Sequence, residues 1–208
     1  ASAPAVVAAT SPVAVVASEV CSATAYFDDD PELIVSNCIF ADGAAAAIVA
    51  GRNGDEGRGS RPAIELLDFE SSLWPEYRDR LRFRQSGGRL RNCLSRDVPE
   101  LAAEMASRSL QRLLGRNQLR QSDIALWAVH PGGKRVLERF AVQFGLRPDA
   151  LEDSYGVLAR CGNMSSPSVL FVLESIANRA DWKAGELGVY TAFGAGLTCH
   201  VGLFRSAV

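Results

Sequence analysis

Strand-like and helix-like segments alternate along this chain, which predicts an α/β protein with a mostly parallel sheet. Short, nearly continuous apolar runs such as Ile124–Val129 (IALWAV) suit buried strands, amphipathic stretches lie between them, and glycine-bearing turns separate the two. Composition agrees: 208 residues, 48 % hydrophobic and 22 % charged, make an ordinary globular chain that can bury a core without disulfides or metal.

Residues 1–12 are low-complexity, uncharged and proline-bearing, a poor helix. Val13–Val20 is β-branched almost throughout and predicts a buried strand. Asp28–Pro31 reads as an acidic turn. Ala44–Ala50, small residues ending in Ile and Val, predicts a strand packed closely against another layer. Gly51–Gly59 (GRNGDEGRG) is a flexible connection, and Ala63–Phe69 resumes as a strand. Residues 77–96 alternate Arg with apolar residues around Gly87-Gly88, a surface hairpin. A helix follows, with Asp97 and Glu100 as a capping box, Leu101, Met105, Leu110 and Leu113 on one face, and Gly115 as C-cap. After strand Ile124–Val129 comes His130-Pro131-Gly132-Gly133, then a helix burying Val136, Leu137, Phe140 and Phe144. Ser166 as N-cap with Pro167 at the first helical position starts another helix, to about Arg179. Strands Gly188–Ala192 and Leu197–Phe204, joined across Phe193–Gly196, close the chain. Residues 41–51 and 192–202 share a faint Gly/Ala-rich pattern, consistent with two halves of a duplicated fold.

The formal charge is −2, which gives no indication of a nucleic-acid partner. Residues 1–51 hold six acids and no Lys or Arg, so the rest of the chain carries all 22 basic residues against 18 acids. A mildly basic body suits an anionic small substrate, or is simply a solvated surface. The five cysteines form no CxxC pair. That argues against zinc or a disulfide framework and for a reducing, cytoplasmic setting. No apolar run reaches the ~20 residues that span a bilayer, and the alanine-rich start lacks the positive region of an export signal.

Ligands of α/β sheets gather beyond the carboxyl ends of strands. His130 lies there, and Gly132 and Gly133 would leave backbone N–H groups free near a helix N-terminus to hold an anion or oxyanion. Asn163, in Cys161-Gly162-Asn163-Met164-Ser165-Ser166, offers two uncharged N–H donors. With an imidazole it could hold a thioester carbonyl or an enolate, although an N-cap or turn role is the commoner one for such an Asn. His200 falls mid-strand and reads as structural. Cys161 and Cys21 are possible nucleophiles, but neither has an evident cation to activate it. There is no G-x-S-x-G, P-loop or G-x-G-x-x-G.

Four ordered segments carry a family resemblance: Phe40-Ala41-Asp42-Gly43-Ala44-Ala45-Ala46, Trp127-Ala128-Val129-His130-Pro131-Gly132-Gly133, Gly162-Asn163-Met164-Ser165-Ser166, and Phe193-Gly194-Ala195-Gly196-Leu197-Thr198, with Arg96-Asp97-Val98-Pro99 as a fifth. From about Val13 to Arg205 the chain resembles the type III polyketide synthases (chalcone and stilbene synthases). The resemblance implies a thiolase-like, internally duplicated α/β/α layered sandwich, usually a homodimer. It implies decarboxylative condensation of an acyl-CoA starter with malonyl-CoA, without metal or organic cofactor beyond the CoA thioesters. It makes His130 and Asn163 the catalytic pair, with His130 also holding a cysteine as thiolate. Phe40 matches an aromatic gatekeeper; Thr24, Ser165 and Phe193 match cavity-lining positions. Gly132 and Gly133 count among the substrate-binding positions, and Arg135 falls where the segment after His-Pro-Gly-Gly meets CoA.

The departures matter as well. The family's nucleophilic cysteine and its CoA-gripping basic residues would fall ahead of residue 1. Residues 1–51 would then be a remnant of the N-terminal half, 52–62 a linker and 63–208 the C-terminal domain. A second gatekeeper position falls on Asn92, which would widen or polarise the cavity, and Ala192 and Ala195 replace a Gly and a Pro of a family loop. The expected function is that of the family, with this chain alone unable to condense. The alternatives are a non-catalytic half that pairs with a Cys-bearing partner chain, or a different chemistry at Cys161 or Cys21.

Overall fold

The computed structural model describes residues 12–51 and 63–207. The linker expected at 52–62 and the low-complexity start fall outside the described residues, apart from Pro12. Strands β1 (Val13–Glu19) and β2 (Gly43–Val49) pair antiparallel as a two-stranded ribbon, with helix α1 (Pro31–Ile39) between them in sequence. A four-stranded sheet has the order β3 (Ala63–Leu73), β8 (Thr198–Ala207), β7 (Leu187–Gly194), β6 (Ile124–Val129). Strands β4 (Leu81–Ser86) and β5 (Arg89–Leu94) form the hairpin expected around Gly87-Gly88. Helices α2 (Val98–Arg116), α3 (Lys134–Phe144), α4 (Glu152–Cys161) and α5 (Ser168–Ala177) complete the fold.

The larger core lies between the sheet and helices α2 and α3, where Met105, Leu113, Leu137, Phe140, Val189, Val201 and Leu203 are buried. Phe204, Val172, Ile176 and Ala128 fill the opposite face, on which α5 packs. Arg116 ties α2 to β3 through a two-point contact with Asp68, Nε to Oδ2 at 2.6 Å and Nη2 to Oδ1 at 2.9 Å, the geometry in which an arginine–carboxylate pair is strongest.

Several expectations need correction. The sheet is not mostly parallel: only β6–β7 pair that way, because the tight Ala195–Leu197 connection forces β8 back against β7. Val13–Val20 is a strand but not a buried one; Val16 is 71 % exposed, and its neighbours Val13, Val15 and Val20 are also open. The acidic turn is the start of α1: Asp30 accepts the Glu32 N–H and Pro31 opens the helix. Helix α4 was not anticipated. Asp97 caps α2 without a side-chain hydrogen bond, since Glu100 turns instead to Arg135 and Arg139. Helix α2 also runs through Gly115 to Arg116. Helix α5 begins at Ser168 rather than Pro167, and the Ser166 hydroxyl is engaged by Glu19.

Close packing sets one sharp constraint. Gly188 lies opposite Phe204 in the β7–β8 ladder, and a Cβ there would sit 2.2 Å from the buried ring's Cζ. Gly188→Ala is expected to cost about 1–3 kcal/mol, as overpacked cores do. Denaturant unfolding checks this, and in a Phe204→Leu background the same substitution should cost less than half as much.

Candidate active site

Strand β6 delivers His130 to a loop at its C-terminal end. The His130 N–H donates to Thr191 O on β7 at 2.9 Å, extending the sheet by one bond. Pro131 then centres a γ-turn in which the Gly132 N–H donates to His130 O at 2.9 Å. The Gly132 N–H is therefore not free for a ligand, contrary to expectation. Gly133 caps α3 with φ +150°, a conformation that side-chain-bearing residues rarely adopt.

The His130 ring is 7 % exposed and meets Phe193 edge to face, with ring centroids 5.0 Å apart. Burial alone drives its pKa down to about 4. The imidazole is thus neutral at pH 7 and can donate one N–H. Gly132 is small because it must be: a Cβ there would lie 2.8 Å from Phe193 Cζ and 3.4 Å from His130 Cδ2.

Asn163 arrives from the end of α4. Gly162 caps that helix at φ +72°, and a Cβ there would sit 3.0 Å from Ala41 Cβ and 3.1 Å from Ile39 O, so only a glycine fits the exit without strain. The Asn163 N–H donates to Ile39 O and its carbonyl accepts from the Ala41 N–H, both at 2.9 Å, a short parallel bridge around Phe40. The Asn163 side chain is buried. Its Oδ1 accepts the Ser165 N–H at 2.9 Å, which fixes the carboxamide's orientation and aims Nδ2 at Gly132 O, 3.3 Å away. His130, Gly132, Asn163, Ser165, Phe193 and Phe40 therefore share one neighbourhood, and Gly133 joins it through Ile39 Cδ1 at 3.6 Å from its Cβ position.

Other sequence-predicted residues are engaged elsewhere. The Arg135 guanidinium donates to Glu100 at 2.8 Å and holds that carboxyl below its usual range. The Thr24 hydroxyl donates to Cys21 O at 2.9 Å within a short 3-10 turn, Cys21–Thr24. Asn92 is buried on β5, where its Nδ2 faces Ser36 Oγ of α1 at 3.4 Å and its Oδ1 has no partner among the described residues. His200 hydrogen-bonds Ser71 across β3–β8 at 2.8 Å, as a structural strand residue would.

Of the two candidate thiols, Cys21 is disfavoured as a nucleophile. Burial, then Glu19 and Asp42, raise the Cys21 pKa. Cys161 is the last residue of α4 and is half-buried.

Two contributors escaped sequence reasoning. Met164 lies over Gly43, whose Cβ would fall 2.9 Å from Met164 Cβ, and Glu19 accepts the Ser166 hydroxyl at 2.7 Å. Both are long-range contacts with no local signature.

A layered α/β fold that sets a buried imidazole beside Phe193 and turns a buried carboxamide toward Gly132, from a strand-end and a helix-end loop, is of the thiolase-like class. The chain belongs to the chalcone and stilbene synthase family: residues 72–208 match the family described as "Chalcone and stilbene synthases, C-terminal domain". It is 35 % identical over 198 residues to a 3,5-dihydroxyphenylacetyl-CoA synthase of Streptomyces toyocaensis, covering 92 % of this chain and 50 % of the relative. It is 34 % identical over 191 residues to an alpha-pyrone synthesis polyketide synthase-like protein of Mycobacterium tuberculosis, covering 91 % and 48 %. The crystal structure of PKS-I from the brown alga Ectocarpus siliculosus superposes with a TM-score of 0.84 at 28 % identity, covering 94 % of this chain and 53 % of that one. The C-terminal type III polyketide synthase domain of Dictyostelium Steely1 gives 0.83 at 25 %, covering 95 % and 54 %. The chain spans about half the length of the curated relatives it matches.

His130 makes stability depend on pH. The unfolded imidazole takes a proton near 6.5, the folded one only near 4. Stability from this residue is therefore complete above pH 6.5 and is lost as pH falls toward 4, by up to about 3 kcal/mol. Thermal melts across that range should show a shallower decline for His130→Gln than for the parent, with carboxylate contributions common to both.

Proposed function

We propose that this chain supplies the His–Asn half of a type III polyketide synthase active site, an acyltransferase site that condenses an acyl-CoA starter with malonyl-CoA. The observation that carries this reading is that buried His130, packed on Phe193, and buried Asn163, donating to Gly132 O, meet around Gly132. When a malonyl thioester loses CO2, the electron pair of the breaking C–C bond passes to Cα and is shared with the thioester oxygen. Two N–H donors held in a site of low polarity stabilise that oxyanion more than they stabilise the neutral carbonyl. Asn163 has its Oδ1 pinned by Ser165, so its Nδ2 points one way. His130, neutral by burial, donates without the cost of a buried charge. The enolate carbon then attacks the carbonyl of a starter held as a cysteine thioester, and the thiolate leaves.

In this reading the nucleophilic cysteine belongs to the other half of the site, and burial with two nearby carboxylates disfavours the Cys21 thiolate. Phe40 and Phe193 border the substrate, Thr24 and Ser165 line the cavity, and Arg135, once released from Glu100, reaches the CoA end. CoA thioesters are the only co-substrates, the working assembly is a homodimer, and free cysteines suit a cytoplasmic setting.

A second reading, a non-catalytic half that pairs with a Cys-bearing partner chain, is favoured by the β1–β2 ribbon. Val16 and Ile48 are 71 % and 70 % exposed, and an uncovered two-stranded ribbon is marginal in water. A folded monomer at high dilution in sedimentation would count against it.

Incubating the 208-residue chain with malonyl-CoA should yield acetyl-CoA slowly and no polyketide. Asn163→Ala and His130→Ala should each lower that rate by about tenfold or more. Equal rates in parent and variants would overturn the assignment, and triketide from this chain alone would overturn the placement of the nucleophile.

A further inference from the structure

We infer that Glu19 is a positioning residue for Asn163, acting through Ser166; the inference rests on the active-site reading above but is tested independently of turnover. The segment from Gly162 to Ser166 is held upstream by the two backbone bonds to Ile39 and Ala41. Downstream of Asn163 the chain turns through Ser165 at φ +59°, a left-handed conformation that a serine adopts only when its surroundings impose it. That conformation matters because the Ser165 N–H is the group that fixes Asn163 Oδ1.

Three contacts impose it. The Ser168 N–H donates to Ser165 O at 3.2 Å, and Ser168 Oγ accepts the Met164 N–H at 2.8 Å. The third is the Ser166 hydroxyl donating to Glu19 Oε1 at 2.7 Å. Only this last one reaches outside the local turn, to a residue 147 positions earlier, and only it is charge-assisted. Glu19 is well anchored for the purpose. It ends β1 directly opposite Gly43, the glycine on which Met164 rests. Cutting the Glu19 contact leaves Ser165 free to relax to negative φ. Its N–H then leaves Asn163 Oδ1, and the carboxamide can rotate away from Gly132.

Amide hydrogen exchange read by NMR on the 208-residue chain tests this. In Glu19→Ala the Ser165 amide should exchange about tenfold faster, the scale of one lost charged hydrogen bond, while Val189 and Leu203 in the core strands keep their protection. Glu19→Gln, whose carbonyl can still accept from Ser166, should restore Ser165 protection. Ser166→Ala should match Glu19→Ala, and the double variant should be no worse than either. Where malonyl-CoA turnover is measurable, Glu19→Ala should lower kcat with little change in KM. Unchanged Ser165 protection in Glu19→Ala, failure of Gln to restore it, or a parallel loss at Val189 and Leu203 would each overturn the inference. Absence of turnover in the parent would strike the proposed function and leave the exchange result standing.

Discussion

Two backbone hydrogen bonds, from the Asn163 N–H to Ile39 O and from the Ala41 N–H to Asn163 O, hold the candidate site together. They join stretches more than 120 residues apart in sequence, and the entropy of closing so long a loop must be recovered by what packs around the seam. That packing depends on missing atoms. Gly162 lets the α4 exit approach Ala41 and Ile39, and Gly43 makes room for Met164. With the seam closed, Asn163 has one backbone position. Ser165 gives its side chain one orientation, and Gly132 lies where its amide points.

The other half of the site obeys a different constraint. His130 is enclosed by Phe193 and the sheet with no carboxylate among the described residues to balance a proton, so burial alone decides that it is neutral. A buried imidazolium would need a facing anion, such as a thiolate, to be tolerated. A neutral imidazole needs none, and its N–H is preorganised by the same contacts that exclude water. The edge-on ring contact requires Gly132 to be without a side chain, which explains in steric terms why a glycine follows Pro131.

Much of this was legible in the sequence because it is local. A strand that ends in His-Pro-Gly-Gly, and an Asn in a polar, glycine-bearing segment just before a Ser-Pro helix start, are features of turn chemistry, read from neighbouring residues. What was misread depends on distant residues. The sequence before α1 looks like a turn because three consecutive Asp precede Pro31, yet Asp30 with Pro31 is also a helix start; the apolar residues Leu33, Ile34 and Val35 follow without helical spacing. Ser166 resembles an N-cap until Glu19, far away, claims its hydroxyl. Asp97 and Glu100 have the spacing of a capping box, but Arg135 and Arg139 compete for the glutamate and win with two charged contacts. The β1 run was expected to be buried because β-branched runs usually are; burial is a property of what covers a strand, which the run itself does not encode.

What covers the ribbon also decides how the chain divides. Residues 13–49 contain a two-stranded ribbon and one helix, too little to bury their own apolar side chains, and Val16, Ile48 and Ile34 remain open. One face of the ribbon is nonetheless committed: α5 packs against β2, α1 packs against β5, and the ribbon's end carries Glu19 and Gly43 to the Asn163 loop. A boundary drawn through residues 52–62 separates two stretches of sequence but cuts across the site. The orientation of Asn163 is set by Ser165 from one side of that boundary and by Ile39, Ala41 and Gly43 from the other. The carboxamide's aim is therefore a joint property of both stretches, and residues 63–207 alone would keep His130 and Phe193 in contact while losing the seam that brings Asn163 to them.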